Sequence, residues 1–522
     1  MRLFTDHTKV IQIWREYGKR VAVSTSLVYV ACYYYYLISE PLNADWLTLG
    51  FLKYHGAYWY DQIGRWGRRY AEILTFKINN PLVSLIVCLL CVITVAILLI
   101  DLWEIKEPVL RILIGPALAV SPAVVDSMQY MHDLMFYMSA MLAAVLSAYV
   151  IVRYKSLRSV MVGIILLIAS LSIYQAYLGV FLFVGVGSLI LELLSEDGEI
   201  QESRRVAVRG AVTAVLGCVF YFLFWILTKV IGHTPDATYA GIDSAMGKRS
   251  VSELSAQITL AYRLWLGYYK DNILHINIFW MVLTGVALIS LGCTCIKRAS
   301  ERKYLPLVLD GILFLIIPLA SNVMTIIARG YGLEGRTSFQ CQLLIPFAAA
   351  LISKAEWRDR MLFVKGIGMA AILLLVMGYG GRAYSTIRTW DIGSRVFKYQ
   401  VKTALTHAIE DERYREDMPI VFMDFPDDDA AQAWNPLREY AYNEPYILWD
   451  TADMVILGDW RVYVMYYFGV DIGQISDVEY DRIRASEEFR KMSRFPSENA
   501  YKVIDGCYVV RFNFPTYGYA DE

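Results

Sequence analysis

Charge is scarce in this chain. Asp, Glu, Lys and Arg make up 19% of its 522 residues and 57% are hydrophobic, whereas ordinary soluble domains carry about 25% charged residues and about 45 to 50% apolar ones. The formal net charge of −1 leaves no basic surplus, so the electrostatic footprint of a nucleic-acid-binding protein is missing. Cysteine offers no disulfide framework. Cys32, Cys88, Cys91, Cys218, Cys293, Cys295 and Cys341 fall in or beside apolar runs and Cys507 alone lies clear of them, which argues against a small stapled secreted fold. Cys88 and Cys91 spell CxxC, but without a second such pair they read as packing residues. His7, His55, His233, His275 and His407 show no mutual metal-ligand spacing, and no internal repeat is evident.

What the chain has is long apolar runs. Pro81 to Ile100, Val206 to Leu227, Ile273 to Leu291 and Phe363 to Tyr379 approach the roughly 20 residues that cross a bilayer. Hydropathy predicts about eleven spans, oriented by the excess of Lys and Arg on cytoplasmic loops. Arg2, Lys9, Arg15, Lys19 and Arg20 place the amino terminus in the cytoplasm. The first run, Val21 to Ser39, follows a basic amphipathic leader and lacks a small-residue cleavage site, so it reads as a retained span. It delivers Asp45 to the outer face. The stretch from Val160 to Leu194 is flanked by basic clusters on both sides, which requires two crossings with a turn near Ser172 to Gln175. Later spans are predicted at Phe339 to Ile352 and Met361 to Tyr379, leaving Gly232 to Asn272 and everything after Gly380 outside. From Gly381 the composition is that of a soluble domain. A helix is predicted over Ile387 to Asp411, with strands at Ile420 to Asp424, Met454 to Leu457, Val462 to Phe468 and Cys507 to Phe512. The expected fold is an α-helical polytopic membrane protein: residues 1–380 form the membrane domain, and residues 381–522 a small extracytoplasmic α/β domain.

The candidate chemistry clusters in the predicted outer loops. Asp45, in the run NADW, is both a turn former and a carboxylate able to take a proton. Trp46, Tyr58, Trp59, Trp66 and Tyr70 suit the interfacial aromatic belt, and Trp59 is also a candidate sugar contact. Arg65 lies three residues from Arg68 and four from Arg69, so these are neighbours on a helix. Their guanidinium groups suit either headgroup phosphates in general or one particular lipid phosphate. Asp126, His132 and Asp133 form an acidic loop that reads as simple solvation or as contacts to sugar hydroxyls. Tyr174 and Gln175 mark a turn whose polar groups would line the same cavity. In RGYGLEGRTS, Glu334 is a candidate substrate contact and Arg336 a candidate phosphate ligand, with glycines permitting close backbone approach.

These residues resemble the type II O-antigen-conversion glucosyltransferase family, within the GT-C class of membrane glycosyltransferases. The resemblance lies in Asn43 to Trp46, in the W-Y-D-x-x-G-R-W-G run at Trp59 to Gly67, and in the M-H-D before the fourth span. It extends to Tyr174-Gln175, to G-R-T-S at Gly335 to Ser338, and to the closing segment FPSENAYKVIDGCYVVRF. It implies a GT-C-like fold in a bacterial cytoplasmic (inner) membrane and a polyprenyl-phosphate sugar as donor. The first-loop acid, Asp45, would be the catalytic base, and Arg65, Arg68 and Arg336 would serve the donor phosphate. Asp133, His132, Trp59, Tyr174, Gln175 and Glu334 would contact substrate. Some members pair acids in that first loop, whereas here Ala44 precedes Asp45, which weakens the case for a metal there without closing it; no cofactor is otherwise expected. The implied partners are an envelope glycan as acceptor, the bilayer, and a polyprenyl-phosphate glycosyl synthase with a flippase to supply the donor. A lipid-linked polysaccharide polymerase or ligase, or a flippase or transporter, is the alternative.

Overall fold

The computed structural model describes residues 11–39, 59–75, 80–195, 200–235, 250–300, 304–328, 332–333, 335–355, 357, 359–424, 435–442 and 453–512. Among them nine helices are long and apolar enough to cross a membrane, from Ile11–Ile38 to Leu362–Glu410, and Leu157–Ile173 and Phe339–Lys354 are shorter apolar helices. The protein is therefore a mostly helical polytopic membrane protein. Two compact units are present. One comprises Met1–Cys32, Gly56–Met128 and Asp133–Ala383; the other Tyr33–His55, Gln129–His132 and Tyr384–Glu522.

Local sequence explains where the helices of the first unit begin and how closely they pack. Pro81 occupies the first turn of its helix, where a missing N–H costs nothing, and the Asn80 side chain accepts from the N–H groups of Leu82 and Val83 at 2.9 and 3.2 Å. Ser156 and Ser159 cap each other at the start of Leu157–Ile173. That helix ends at Ile173, and the chain turns through Gln175–Tyr177 into Leu178–Leu193, as the flanking charges predict. Small residues let backbones approach. A Cβ on Gly217 would stand 2.7 Å from Leu167, and one on Gly179 only 2.3 Å from the Ser321 carbonyl oxygen. Between the helices Val251–Tyr268, Ile276–Ser300 and Leu344–Lys354 lies an apolar cavity of about 500 Å³ walled by Trp265, Tyr269, Trp280, Phe314 and Phe347.

The segment expected outside, Gly232 to Asn272, holds a helix that was not predicted, Val251–Tyr268, started by a capping box of Ser250 and Glu253. Two sequence expectations are corrected here. The span expected at Phe339 to Ile352 is interrupted, with a short helix Phe339–Gln342 before Leu344–Lys354. Pro346, which cannot continue an existing helix, falls in the first turn of the new one. The span expected to close at Tyr379 instead runs unbroken from Leu362 to Glu410 and absorbs the helix predicted over Ile387 to Asp411. Its glycines serve packing rather than termination: a Cβ on Gly378 would meet Ile276 at 3.0 Å, and one on Gly381 would meet Leu274 at 3.2 Å.

The second unit contains a three-stranded sheet of β1 (Ile420–Met423), β2 (Tyr501–Ile504) and β3 (Cys507–Arg511), in the order β1-β3-β2. β2 and β3 form an antiparallel hairpin closed by Asp505 and Gly506, both at positive φ, the conformation that a two-residue turn of this type needs. β1 joins β3 in parallel, with Ile420 opposite Tyr508. Val421, Met423 and Val509 pack with Ile475, Tyr480, Ile483 and Phe489 to make the core of this sheet. The two middle strands expected from sequence, Met454 to Leu457 and Val462 to Phe468, are instead one helix, Asp453–Phe468. Their valines and aromatics carry strand propensity, but packing overrides it. Trp460 stacks on Phe397 and Phe512 at centroid distances of 5.7 and 5.6 Å, and Tyr463, one helical turn on, meets Phe397 at 5.2 Å.

Candidate functional site

The aromatic and arginine-rich run folds as a helix, Trp59–Gln62, a sharp turn at Gly64, and a second helix, Trp66–Leu74. The turn is held from three sides. The Gln175 side-chain amide donates to the Ile63 carbonyl at 2.7 Å and to the Tyr221 hydroxyl at 2.9 Å, Tyr221 donates to the Gly64 carbonyl at 2.9 Å, and the Trp225 indole donates to the Asp61 carbonyl at 2.6 Å. Gly64 has φ +76°, and a Cβ there would lie 2.4 Å from the Tyr221 hydroxyl, so both conformation and space demand glycine. Gln175, a candidate substrate contact, is thus a brace for this turn.

The turn aims Arg65 and Arg68 into the protein. Asp133 is buried and accepts from Arg68 Nε, from the Tyr137 hydroxyl at 3.0 Å and from the Tyr60 hydroxyl at 3.4 Å. Arg68 is 2% exposed, covers the Phe136 ring at 3.8 Å, and lies 3.6 Å from Glu72. Burial works against the Arg68 cation, but Asp133, Tyr60 and Glu72 together outweigh burial and hold the guanidinium above its ordinary range. Arg65 donates to the Tyr137 hydroxyl at 3.1 Å, and its guanidinium stands 4.8 Å from the Tyr174 ring. A continuous path results, from Arg65 through Tyr137 and Asp133 to Arg68. Arg336 is within electrostatic reach of the Tyr137 phenol, as Arg65 is. The Arg336 backbone N–H donates to Asp126 at 2.9 Å and its guanidinium lies 3.6 Å from the same carboxylate, while Gly335 approaches the Asp126 side chain so closely that a Cβ would stand 2.6 Å away.

Of the residues singled out from sequence, Arg65, Arg68, Asp133, Tyr174, Gln175 and Arg336 thus belong to one neighbourhood of the first unit. Trp59 is 39% exposed on the first turn of its helix. His132 is buried and stands edge-on to Tyr130 at 6.5 Å. Asp45 and Glu334 lie outside the described residues. Tyr60, Tyr137 and Asp61 were missed. Tyr137 follows Asp133 by one helical turn, a spacing visible in the sequence. Asp61 is the D of the W-Y-D run. It is 2% exposed, its Oδ2 lies 3.4 Å from Arg69, and its Oδ1 has no hydrogen-bond partner among the described residues. Burial raises its carboxyl above the usual range, against the opposing pull of Arg69. Among the described residues no three His, Cys, Asp or Glu side chains gather closely enough to hold a metal ion.

Comparison with known families bears directly on this neighbourhood. The model for "Glucosyl transferase GtrII" matches residues 51–353, more than half of the chain. The chain belongs to the GtrII glucosyl transferase family. The matched segment holds Arg65, Arg68, Asp133 and Arg336 together with most of the apolar helices, so this GtrII-family protein is a membrane glycosyltransferase by family, of the type II O-antigen-conversion kind that the sequence resembles. No curated protein and no solved structure matches the chain.

Proposed function

We propose that this GtrII-family protein is an inverting, GT-C-like glycosyltransferase that moves a hexose, glucose by family, from a polyprenyl-phosphate donor to an envelope glycan. In this reading the reaction takes place on the outer face of the bacterial cytoplasmic membrane. The amino terminus is cytoplasmic, about eleven helices cross the bilayer, and residues 381–522 form an extracytoplasmic α/β domain. The observation that carries the reading is the buried run Arg65–Tyr137–Asp133–Arg68, with Arg336 in electrostatic reach, inside the segment matched by the family.

The chemistry follows from charge. The acceptor hydroxyl oxygen bonds to the anomeric carbon while Asp45 takes its proton, and the anomeric carbon–oxygen bond to phosphate breaks with its electron pair passing to the lipid phosphate. One displacement inverts the centre, so a β-linked donor gives an α-linked product. Arg65 and Arg336 stabilise the charge that builds on the departing phosphate. Arg68, committed to Asp133 and Glu72, fixes the carboxylate that orients Tyr137 and through it Arg65. It works on the phosphate at one remove. No metal or other cofactor enters the scheme. A polyprenyl-phosphate glycosyl synthase and a flippase would supply the donor.

The test is steady-state transfer by purified protein supplied with polyprenyl-phosphate [14C]glucose and envelope glycan. Arg65→Ala and Arg336→Ala are each expected to raise the donor KM about ten-fold or more, the loss of one charge-assisted contact. An unchanged donor KM in both variants would remove the phosphate assignment.

A further inference from the structure

The helix Trp66–Leu74 has a second face. Arg68 and Glu72 turn toward Asp133, whereas Trp66, Arg69 and Tyr70 face the last turns of the helix Ile200–Gly232. Between them lies a cavity of about 280 Å³, bounded by Trp66, Arg69, Tyr70, Phe224, Leu227 and Thr228. That is near the lower end of the roughly 300 to 1,000 Å³ typical of small-molecule sites, so it takes a single ring. Its walls are aromatic and aliphatic, with Arg69 and Thr228 as the polar members. The Trp66 ring stands 5.9 Å from Phe224 and 6.3 Å, edge-on, from Tyr70.

The indole nitrogen of Trp66 and Oδ1 of Asp61 have no hydrogen-bond partner among the described residues, but both are sealed from solvent, and Asp61 is not among the residues that bound the cavity. Arg69, 58% exposed, links Asp61 to the cavity through its 3.4 Å contact with Oδ2. The charges balance, one guanidinium against one carboxylate. A phosphate brought to Arg69 would also meet the charge of Asp61, whereas a neutral polyol suits a guanidinium already balanced by a carboxylate, its hydroxyl oxygens accepting from Arg69. Aromatic walls suit the C–H face of a pyranose ring.

We infer that this cup binds a neutral hexose ring of the glycan acceptor, with Arg69 as hydrogen-bond donor and the Trp66 and Tyr70 rings against the sugar's C–H face. That the sugar is the acceptor rests on the transfer reaction proposed above; the affinity for a sugar ring does not. The test uses the full chain in phosphatidylcholine nanodiscs, free of glycoside detergents, with methyl β-D-glucopyranoside as probe and saturation-transfer NMR as readout. Wild-type protein is expected to saturate the ring protons. Arg69→Ala, and Thr228→Trp, which fills the cup from the opposite helix, should each weaken binding about ten-fold or more. The inference fails if both variants bind the glucoside as wild type does, if the wild type gives no saturation transfer, or if equimolar inorganic phosphate displaces the sugar. It also fails if Arg69→Ala changes only the retention of phosphatidylglycerol, which would make the cup a headgroup site. Because the donor is absent, intact sugar binding alongside failed transfer would overturn the donor reading and leave this one standing.

Discussion

Asp133 shows how much of the site depends on a single carboxylate. It takes hydrogen bonds from an arginine and two tyrosines in a buried setting, and a buried charge is tolerable only when so paired. Arg68→Ala would leave it without its cation, and thermal or denaturant unfolding should show a loss of about 3 to 5 kcal/mol, the usual consequence of breaking a buried pair from one side. Arg65→Ala, which empties a place beside Tyr137 without orphaning Asp133, should unfold much nearer to wild type. Asp61 gives a prediction of opposite sign in pH. Its carboxyl is raised by burial, so the folded state binds its proton more tightly than the unfolded chain does. Its contribution to stability is present below the ordinary carboxylate range and is lost as pH rises through the higher folded value. Melting temperature measured across that acid window should therefore fall with rising pH in wild type, and Asp61→Asn should flatten that segment of the curve. Neither carboxylate's arginine partner was legible from sequence alone. Arg68 and Asp133 stood out as types, but their pairing spans 65 residues and depends on how the Gly64 turn is braced.

At the scale of elements, the Gly64 turn is the part on which the site is built. Gly64→Ala places a methyl against Tyr221 and Gln175 and imposes an L residue at φ +76°, which should cost about 1 to 3 kcal/mol of stability and misplace Arg65. Gly210→Ala, at a helical glycine with nothing within 4 Å of the added atom, is the matched control and should stay within about 0.5 kcal/mol of wild type or gain slightly. Both are read by thermal unfolding. Helices were the legible elements, because an apolar run of membrane length has few alternatives, and the turn between Ile173 and Leu178 was legible from charge alone. Boundaries were not. Gly378 and Gly381 flank the expected end of a span but are close-packing positions in a continuous helix, and Pro346 falls at the start of the second piece of what looked like one span. Strand signals in the second unit succeeded at Ile420–Met423 and Cys507–Arg511 but missed Tyr501–Ile504, the partner across the Asp505-Gly506 turn. They failed at Asp453–Phe468, where Trp460 and Tyr463, one helical turn apart, pack on Phe397.

At the scale of the whole molecule, charge is scarce, and the few charged side chains buried in the first unit stand out against long apolar helices. The family match covers residues 51–353, so the arginines proposed to meet phosphate fall inside it while Asp45 lies just ahead of it. The account requires these two parts to act on one reaction, with guanidinium groups on the leaving phosphate and the first-loop acid on the attacking hydroxyl. The measurement that tests this most directly is single-turnover transfer from polyprenyl-phosphate [14C]glucose to envelope glycan by wild type and Asp45→Asn, with donor binding recorded in parallel. The account predicts unchanged donor affinity and a transfer rate lowered by about 100- to 10,000-fold, the usual worth of a general base. Transfer by Asp45→Asn at the wild-type rate would contradict it.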